Sequence, residues 1–217
     1  MINLDKFKYQ SWLDGRIIAI NGDCQEVMAE IEDKEIDLVL TDPPYRNQEE
    51  NQPTKDMRSN GSMKNFGNKP NQEIIDEIFR VSKGQIIWGS NNFNNLPSYK
   101  GFLIWDKGIP FNFSMSSVEM AFISENLSTI AKMFFSRASG QQDRIHPTQK
   151  PVALMAWCLN NYSKENDLVF DAFAGSFTTA IACIRTKRRF IGCELDPIYF
   201  EKACERIDTE LKQLTLF

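Results

Sequence analysis

The sequence predicts an α/β fold, a mostly parallel, doubly wound sheet with an antiparallel edge strand, from three observations. Short apolar runs rich in β-branched residues alternate with amphipathic helical patterns along most of the chain. Several of these runs stop abruptly in turn-forming residues, Asp42-Pro43-Pro44 and Ala174-Gly175-Ser176 among them. With 217 residues, 42% of them hydrophobic, the chain is long enough to bury one good core, and it shows neither an internal repeat nor a linker. A single domain over residues 1–217 is therefore expected.

Ile17–Ile20 is the first predicted strand. Asn21-Gly22 turns the chain, and Asp23 with Glu26 three residues on has the form of a capping box opening a short helix to about Ile31. Ile36-Asp37-Leu38-Val39-Leu40 is a buried strand that delivers Thr41-Asp42-Pro43-Pro44-Tyr45 at its carboxyl end, where two prolines stop it. Residues 46–70 then turn to Asn, Gln, Gly, Lys and Pro, a polar loop of a length that is functional or disordered inside compact domains. Ile74, Ile75, Ile78, Phe79 and Ser82 fall at helical spacing before the strand Gln85–Trp88. Gly101–Trp105 and Val118–Ser124 are further strands, expected to pair antiparallel at a sheet edge. In the second, Val118, Met120 and Phe122 face one way and Glu119, Ala121 and Ile123 the other. Pro151 opens a helix through Tyr162, and Leu168–Phe170 is a short buried strand. A helix to about Arg185, a strand Arg189–Cys193 and a closing helix from Asp196 to about Leu214 complete the chain. Ligands of doubly wound sheets sit at the carboxyl ends of the strands, and both Asp42 and Gly175 fall there.

Composition narrows the function. No window reaches the length of apolar sequence that a membrane span needs, and the N-terminus lacks the pattern of a signal peptide, so a cytoplasmic protein is expected. The five cysteines are odd in number and scattered, as reduced buried thiols are. A single histidine, His146, removes most imidazole-based metal sites, and no metal is expected. The net charge of −4 argues against non-specific coating of nucleic acid, so a DNA contact has to use a local basic surface. The dense run Arg185, Lys187, Arg188 and Arg189 lies between a helix end and a strand start, where it is better read as helix capping.

Two constellations carry chemistry. After Phe170 a strand ends in Asp171, Gly175 follows, and Ser176, Thr178 and Thr179 open a helix, so that small residues and free amides meet a ligand. Glu194, at the end of the next strand, is placed to bind both ribose hydroxyls of a nucleoside. The same arrangement serves NAD-like and other nucleotides, which leaves the ligand open. In Asp42-Pro43-Pro44-Tyr45, the prolines remove backbone donors and leave only acceptors. The Asp42 carboxylate and the Pro43 carbonyl can each accept one hydrogen of an amino group while Tyr45 offers a flat face to a base. An aromatic amine is a poor nucleophile, and acceptors that draw it towards tetrahedral geometry and stabilise its developing charge promote its attack.

Here the sequence resembles the amino-group DNA methyltransferases. Asp42-Pro43-Pro44-Tyr45 matches the family's catalytic motif, and Asp171-Ala172-Phe173-Ala174-Gly175-Ser176 its methyl-donor motif; their order in the chain is that of the circularly permuted β group. Asn21-Gly22-Asp23-Cys24 resembles the segment beside the donor's adenine, His146-Pro147-Thr148-Gln149-Lys150-Pro151 the donor-side motif, and Trp88-Gly89-Ser90-Asn91 the strand end bordering the target-base pocket. The resemblance spans about residues 17 to 200. It implies a Rossmann-like, S-adenosylmethionine-dependent methyltransferase fold, with a catalytic half over about 17–125 and a donor-binding half over about 146–213. It makes Asp42, Pro43, Pro44 and Tyr45 catalytic. It assigns the donor to Asp23, Cys24, Asp42, His146, Thr148, Gln149, Lys150, Asp171, Phe173, Gly175, Ser176, Phe177, Thr178 and Glu194.

Tyr45, Lys55, Arg58, Lys64, Lys69 and Asn91 are the expected nucleic-acid contacts, with the 46–70 loop as target-recognition segment. The implied partner is double-stranded DNA, with a flipped adenine as substrate; a homodimer and a cognate restriction endonuclease are compatible with the family. Cytosine modified at its N4 amine, protein glutamine, a dehydrogenase and an inactive nucleotide-binding DNA-binding regulator are the alternatives. Phe177 stands where the family usually has a second glycine; either the position needs no positive φ and Phe177 is the first core-facing residue of its helix, or the chain bears a strain on the order of 1 kcal/mol there.

Overall fold

The computed structural model describes residues 2–46, 68–110, 116–137, 145 and 148–214. Among the described residues, nine strands form one sheet: β1 (Lys8–Trp12), β2 (Ile17–Asn21), β3 (Ile36–Thr41), β4 (Ser82–Trp88), β5 (Phe102–Asp106), β6 (Val118–Ile123), β7 (Lys132–Phe135), β8 (Leu168–Asp171) and β9 (Arg189–Glu194). Their spatial order is β1-β2-β9-β8-β3-β4-β6-β5-β7. Strands β2, β9, β8, β3 and β4 run parallel, so their carboxyl ends line one edge of the sheet. Only β1 and β6 run against the rest.

Strand residues alternate between two cores, as a sheet covered on both faces requires. Leu38, Leu40, Ile86 and Val169 face α3 (Val152–Tyr162), α4 (Thr178–Thr186) and α5 (Pro197–Leu214). Val39, Ile87 and Phe170 face α1 (Cys24–Ala29) and α2 (Gln72–Val81). The Asp23 carboxylate caps α1 by accepting from the Gln25 amide at 2.7 Å. Helix α2 ends one residue sooner than its apolar spacing suggests. Ser82 turns extended, gives its hydroxyl to the Ile78 carbonyl at 2.5 Å and begins β4.

The α/β, doubly wound class holds, with β1 as the antiparallel edge strand. The predicted pair β5 and β6 is antiparallel but not at the edge, because β7 adds outside β5 in parallel register. Neither β1 nor β7 has an apolar alternation to announce it: β1 is almost wholly exposed, and Met133 and Phe135 of β7 face solvent. No helix among the described residues is long and apolar enough to cross a membrane.

Candidate active site

A cleft of about 890 Å³ opens along the carboxyl edge of β2, β9, β8 and β3. The turn after β2 contributes Asp23 and Cys24, the turn after β8 contributes Phe173, Gly175, Ser176 and Thr178, and the end of β9 contributes Glu194. Asp42, Pro43, Pro44 and Tyr45 follow β3, and Thr148, Gln149 and Lys150 precede α3. The sheet order makes this meeting possible, since β8 and β3, distant in sequence, are hydrogen-bonded neighbours.

The β8 turn is fixed by its own hydrogen bonds. Asp171 is buried and accepts from Thr41 Oγ1 and Thr179 Oγ1, each at 2.7 Å, and from the Phe173 amide at 3.1 Å. Burial pushes its carboxyl up to about 6 against these bonds. Asp171 thus ties the ends of β3 and β8 to the start of α4. From α5, Arg206 Nη1 donates to the Ser176 carbonyl at 2.8 Å and to Thr178 Oγ1 at 2.9 Å.

Glu194 closes the other wall. Its two oxygens accept from the Gly175 amide at 3.0 Å and the Asp196 amide at 2.8 Å, which aims the carboxylate while leaving lone pairs for a diol. Burial, reinforced by the charges of Asp196 and Asp171, pushes it up to about 7. Cys24 lines the cleft, but burial pushes its thiol up to about 12, so it is a neutral wall.

Around Asp42 lies a cluster of charges. Lys150 Nζ is 2.5 Å from Asp42 Oδ2, 3.0 Å from Glu119 Oε2 and 3.1 Å from the Tyr45 hydroxyl. The Tyr45 hydroxyl is 2.6 Å from Asp42 Oδ1 and 3.1 Å from Glu119 Oε2, and Lys107 Nζ is 2.6 Å from Glu119 Oε1. Burial raises the Asp42 carboxyl, and the Glu119 charge adds to the effect of burial against the pull of Lys150. Burial alone would depress the Lys150 ammonium, but Asp42 and Glu119 raise it. Burial would raise Glu119 too, yet Lys150 and Lys107 hold it below the usual carboxylate range. The Tyr45 ring rests on Gly89, whose φ of 73° keeps the chain open beneath it.

Of the residues singled out in the sequence, Lys69 also lines the cleft, and Asn91 is exposed on the turn after β4. His146, Lys55, Arg58 and Lys64 lie outside the described residues. Phe177 adopts φ 53° and ψ 36° at the start of α4, so the position does take the glycine conformation. Its ring is fully buried against Phe190 and Phe200, away from the cleft. Glu119, Lys107 and Arg206 were not singled out as site residues, and Thr41 and Thr179 were named only within their segments. Charged positions on a strand or helix carry no periodic signal of a partner; only Glu119, sharing a strand face with Ala121 and Ile123, hinted at burial.

Residues 124–205 match the family model N6_N4_Mtase, described as DNA methylase. The chain is 26% identical over 215 residues to "Putative methylase YubD" of Escherichia coli (strain K12), covering 87% of this chain and 88% of that protein. It is 44% identical over 63 residues to the DNA adenine methyltransferase YhdJ of the same organism, 29% of this chain and 21% of YhdJ. Among solved structures, the M1.HpyAVI–SAM complex superposes with a TM-score of 0.63 at 24% identity, over 88% of this chain and 98% of that one. The PvuII DNA methyltransferase (cytosine-N4-specific) gives a TM-score of 0.60 at 15% identity, over 88% and 86%. Residues 124–205 match the family model, one relative is similar along most of both chains and the fold is shared, so the chain is similar to the N6-adenine/N4-cytosine DNA methylases.

Proposed function

We propose that the protein is an S-adenosylmethionine-dependent DNA methyltransferase acting on the exocyclic amine of adenine. The observation that carries this is the shared cleft: the Asp42-Pro43-Pro44-Tyr45 loop, whose two prolines bring no backbone donor, opens into the same space as the oriented Glu194 carboxylate. The residues fit the donor. Glu194 suits its ribose diol, the Asp23–Cys24 wall its adenine, and Thr148, Gln149, Gly175 and Ser176 its amino-acid end. When bound, it supplies an electrophilic methyl group on a cationic sulfonium.

The protein's part is to prepare the nitrogen. Asp42 and the Pro43 carbonyl accept the two amine hydrogens, Tyr45 stacks on the extruded base, and Asp42 stabilises the positive charge that grows on nitrogen as it attacks. The nitrogen is itself the nucleophile, which agrees with the neutral thiol of Cys24. Adenine is favoured over cytosine by the aspartate at position 42 and by the adenine specificity named for YhdJ. Lys69, with Lys55, Arg58 and Lys64 of the 46–70 loop, would meet the DNA backbone, and Asn91 the base pocket.

The test is methyl transfer from labelled S-adenosylmethionine to unmethylated double-stranded DNA, with the nucleosides resolved by mass spectrometry. N6-methyladenine is expected, and Asp42→Ala should lower the rate about a hundredfold or more while donor affinity stays within a few-fold. N4-methylcytosine would overturn the base assignment, and an Asp42→Ala protein with the wild-type rate would overturn the mechanism.

A further inference from the structure

Asp42 is not free to receive an amine in this structure: Tyr45 holds one of its oxygens and Lys150 the other. Beside it stands a second carboxylate, Glu119, whose side chain is 18% exposed. It reaches the cluster because of strand direction. Strand β6 runs against β4 and β5, so its first residues lie beside the carboxyl ends of those strands, where Trp105 pairs with Glu119 and Lys107 follows β5. A carboxylate this deep is costly unless compensated, and Glu119 meets two ammoniums, Lys107 at 2.6 Å and Lys150 at 3.0 Å.

Donors and acceptors in the cluster are matched in a way that leaves Asp42 replaceable. The three hydrogens of Lys150 are shared among Asp42, Glu119 and the Tyr45 oxygen. The single Tyr45 hydroxyl hydrogen has two acceptors within reach, Asp42 Oδ1 at 2.6 Å and Glu119 Oε2 at 3.1 Å. Turning that hydrogen from one to the other needs only rotation about the phenolic C–O bond. Without Glu119, Asp42 would be the one carboxylate of the cluster left to both Lys150 and Tyr45.

We infer that Glu119, clamped by Lys107, is a positioning residue that takes over the Tyr45 hydroxyl and shares the charge of Lys150, so that Asp42 is released to accept the substrate amine. The inference rests on the amine-methylation reading above. One cation divided between two carboxylates also leaves Asp42 more negative than a one-to-one pair would, which favours both acceptance of the amine and stabilisation of charge on its nitrogen. The groups facing Asp42 are Lys150, Tyr45 and Glu119, with Asp171 behind it; those facing Glu119 are Lys107, Lys150 and Tyr45.

Single-turnover methylation measured against pH in Glu119→Gln and Lys107→Gln tests this. In Glu119→Gln the rate at neutral pH should fall about tenfold or more with donor affinity within twofold. Its acid limb should move to lower pH, since a negative neighbour of Asp42 is gone. Lys107→Gln leaves Glu119 with less compensation and should move the limb to higher pH. Opposite shifts cannot arise from loosened packing. Wild-type rates with unmoved limbs, or limbs moving the same way, would overturn the role of Glu119 while leaving amine methylation intact. Failure of the wild-type protein to methylate DNA overturns both. Should Glu119→Gln not fold, the upward limb in Lys107→Gln decides.

Discussion

Phe177 shows how two residue-scale energies are weighed. A non-glycine residue at φ 53° costs on the order of 1 kcal/mol, whereas truncating a fully buried phenylalanine costs about 3–5 kcal/mol. Burial wins: the backbone is left-handed, against the first alternative, and the ring is nevertheless core, as that alternative expected. Phe177→Ala should therefore destabilise by about 3 kcal/mol or more in urea unfolding, and Phe177→Gly by about 1 kcal/mol less, because glycine is unstrained there. A Phe177→Gly protein as stable as wild type would show that the ring contributes little. Donor affinity should hardly change in either, since the ring lies outside the cleft. Glu194 makes the complementary case. With its carboxyl pushed up to about 7, protonation below neutrality turns one oxygen into a donor and makes it a weaker acceptor for the ribose hydroxyls of the proposed donor. Affinity for S-adenosylmethionine should strengthen about tenfold from pH 6 to pH 8 by titration calorimetry, as the ionised fraction rises. Glu194→Gln should bind weakly at both pH values; an unchanged pH slope in that variant would remove Glu194 from the donor site.

At the scale of elements, the strand ends govern the chemistry. Strand β4 ends at Trp88 and the chain passes Gly89 with φ 73°, close under the Tyr45 ring. A Cβ on Gly89 would come 1.9 Å from Tyr45 Cε1, so Gly89→Ala must displace the ring as well as strain the turn. It should lower the methylation rate at least tenfold with a circular dichroism spectrum like that of wild type; an unaltered rate would mean that the ring position is unimportant. The strands that bear the site were legible because they are largely buried on both faces: Ile36–Leu40, Gln85–Trp88 and Leu168–Phe170 read as apolar runs interrupted only at Asp37 and Gln85. Strands β1 and β7 were not. At the sheet edges, their exposed side chains follow no burial pattern. The short α1 was legible from its cap, Asp23, although the carboxylate bonds Gln25 and not Glu26.

For the whole molecule, the decisive feature is the order β9-β8-β3-β4-β6, which brings together the charged cluster around Asp42 from segments far apart in the chain. The Asp42-Pro43-Pro44-Tyr45 loop, the glycine turn and Glu194 are local: prolines fix a backbone, glycine admits a positive φ, and a carboxylate closing a strand declares itself by position. The sequence by itself thus determined the fold class, the two motifs and their permuted order. Only the tertiary structure decided that Lys150 points at Asp42, that Asp171 binds Thr41 and Thr179, and that Glu119 and Lys107 complete the cluster. The physical reason is that a buried charge is tolerated only by its partners, and these partners come from strands and turns separated in the chain by up to 130 residues. Spacing within a segment can announce a turn or a cap, but it carries no record of which distant charge will lie opposite.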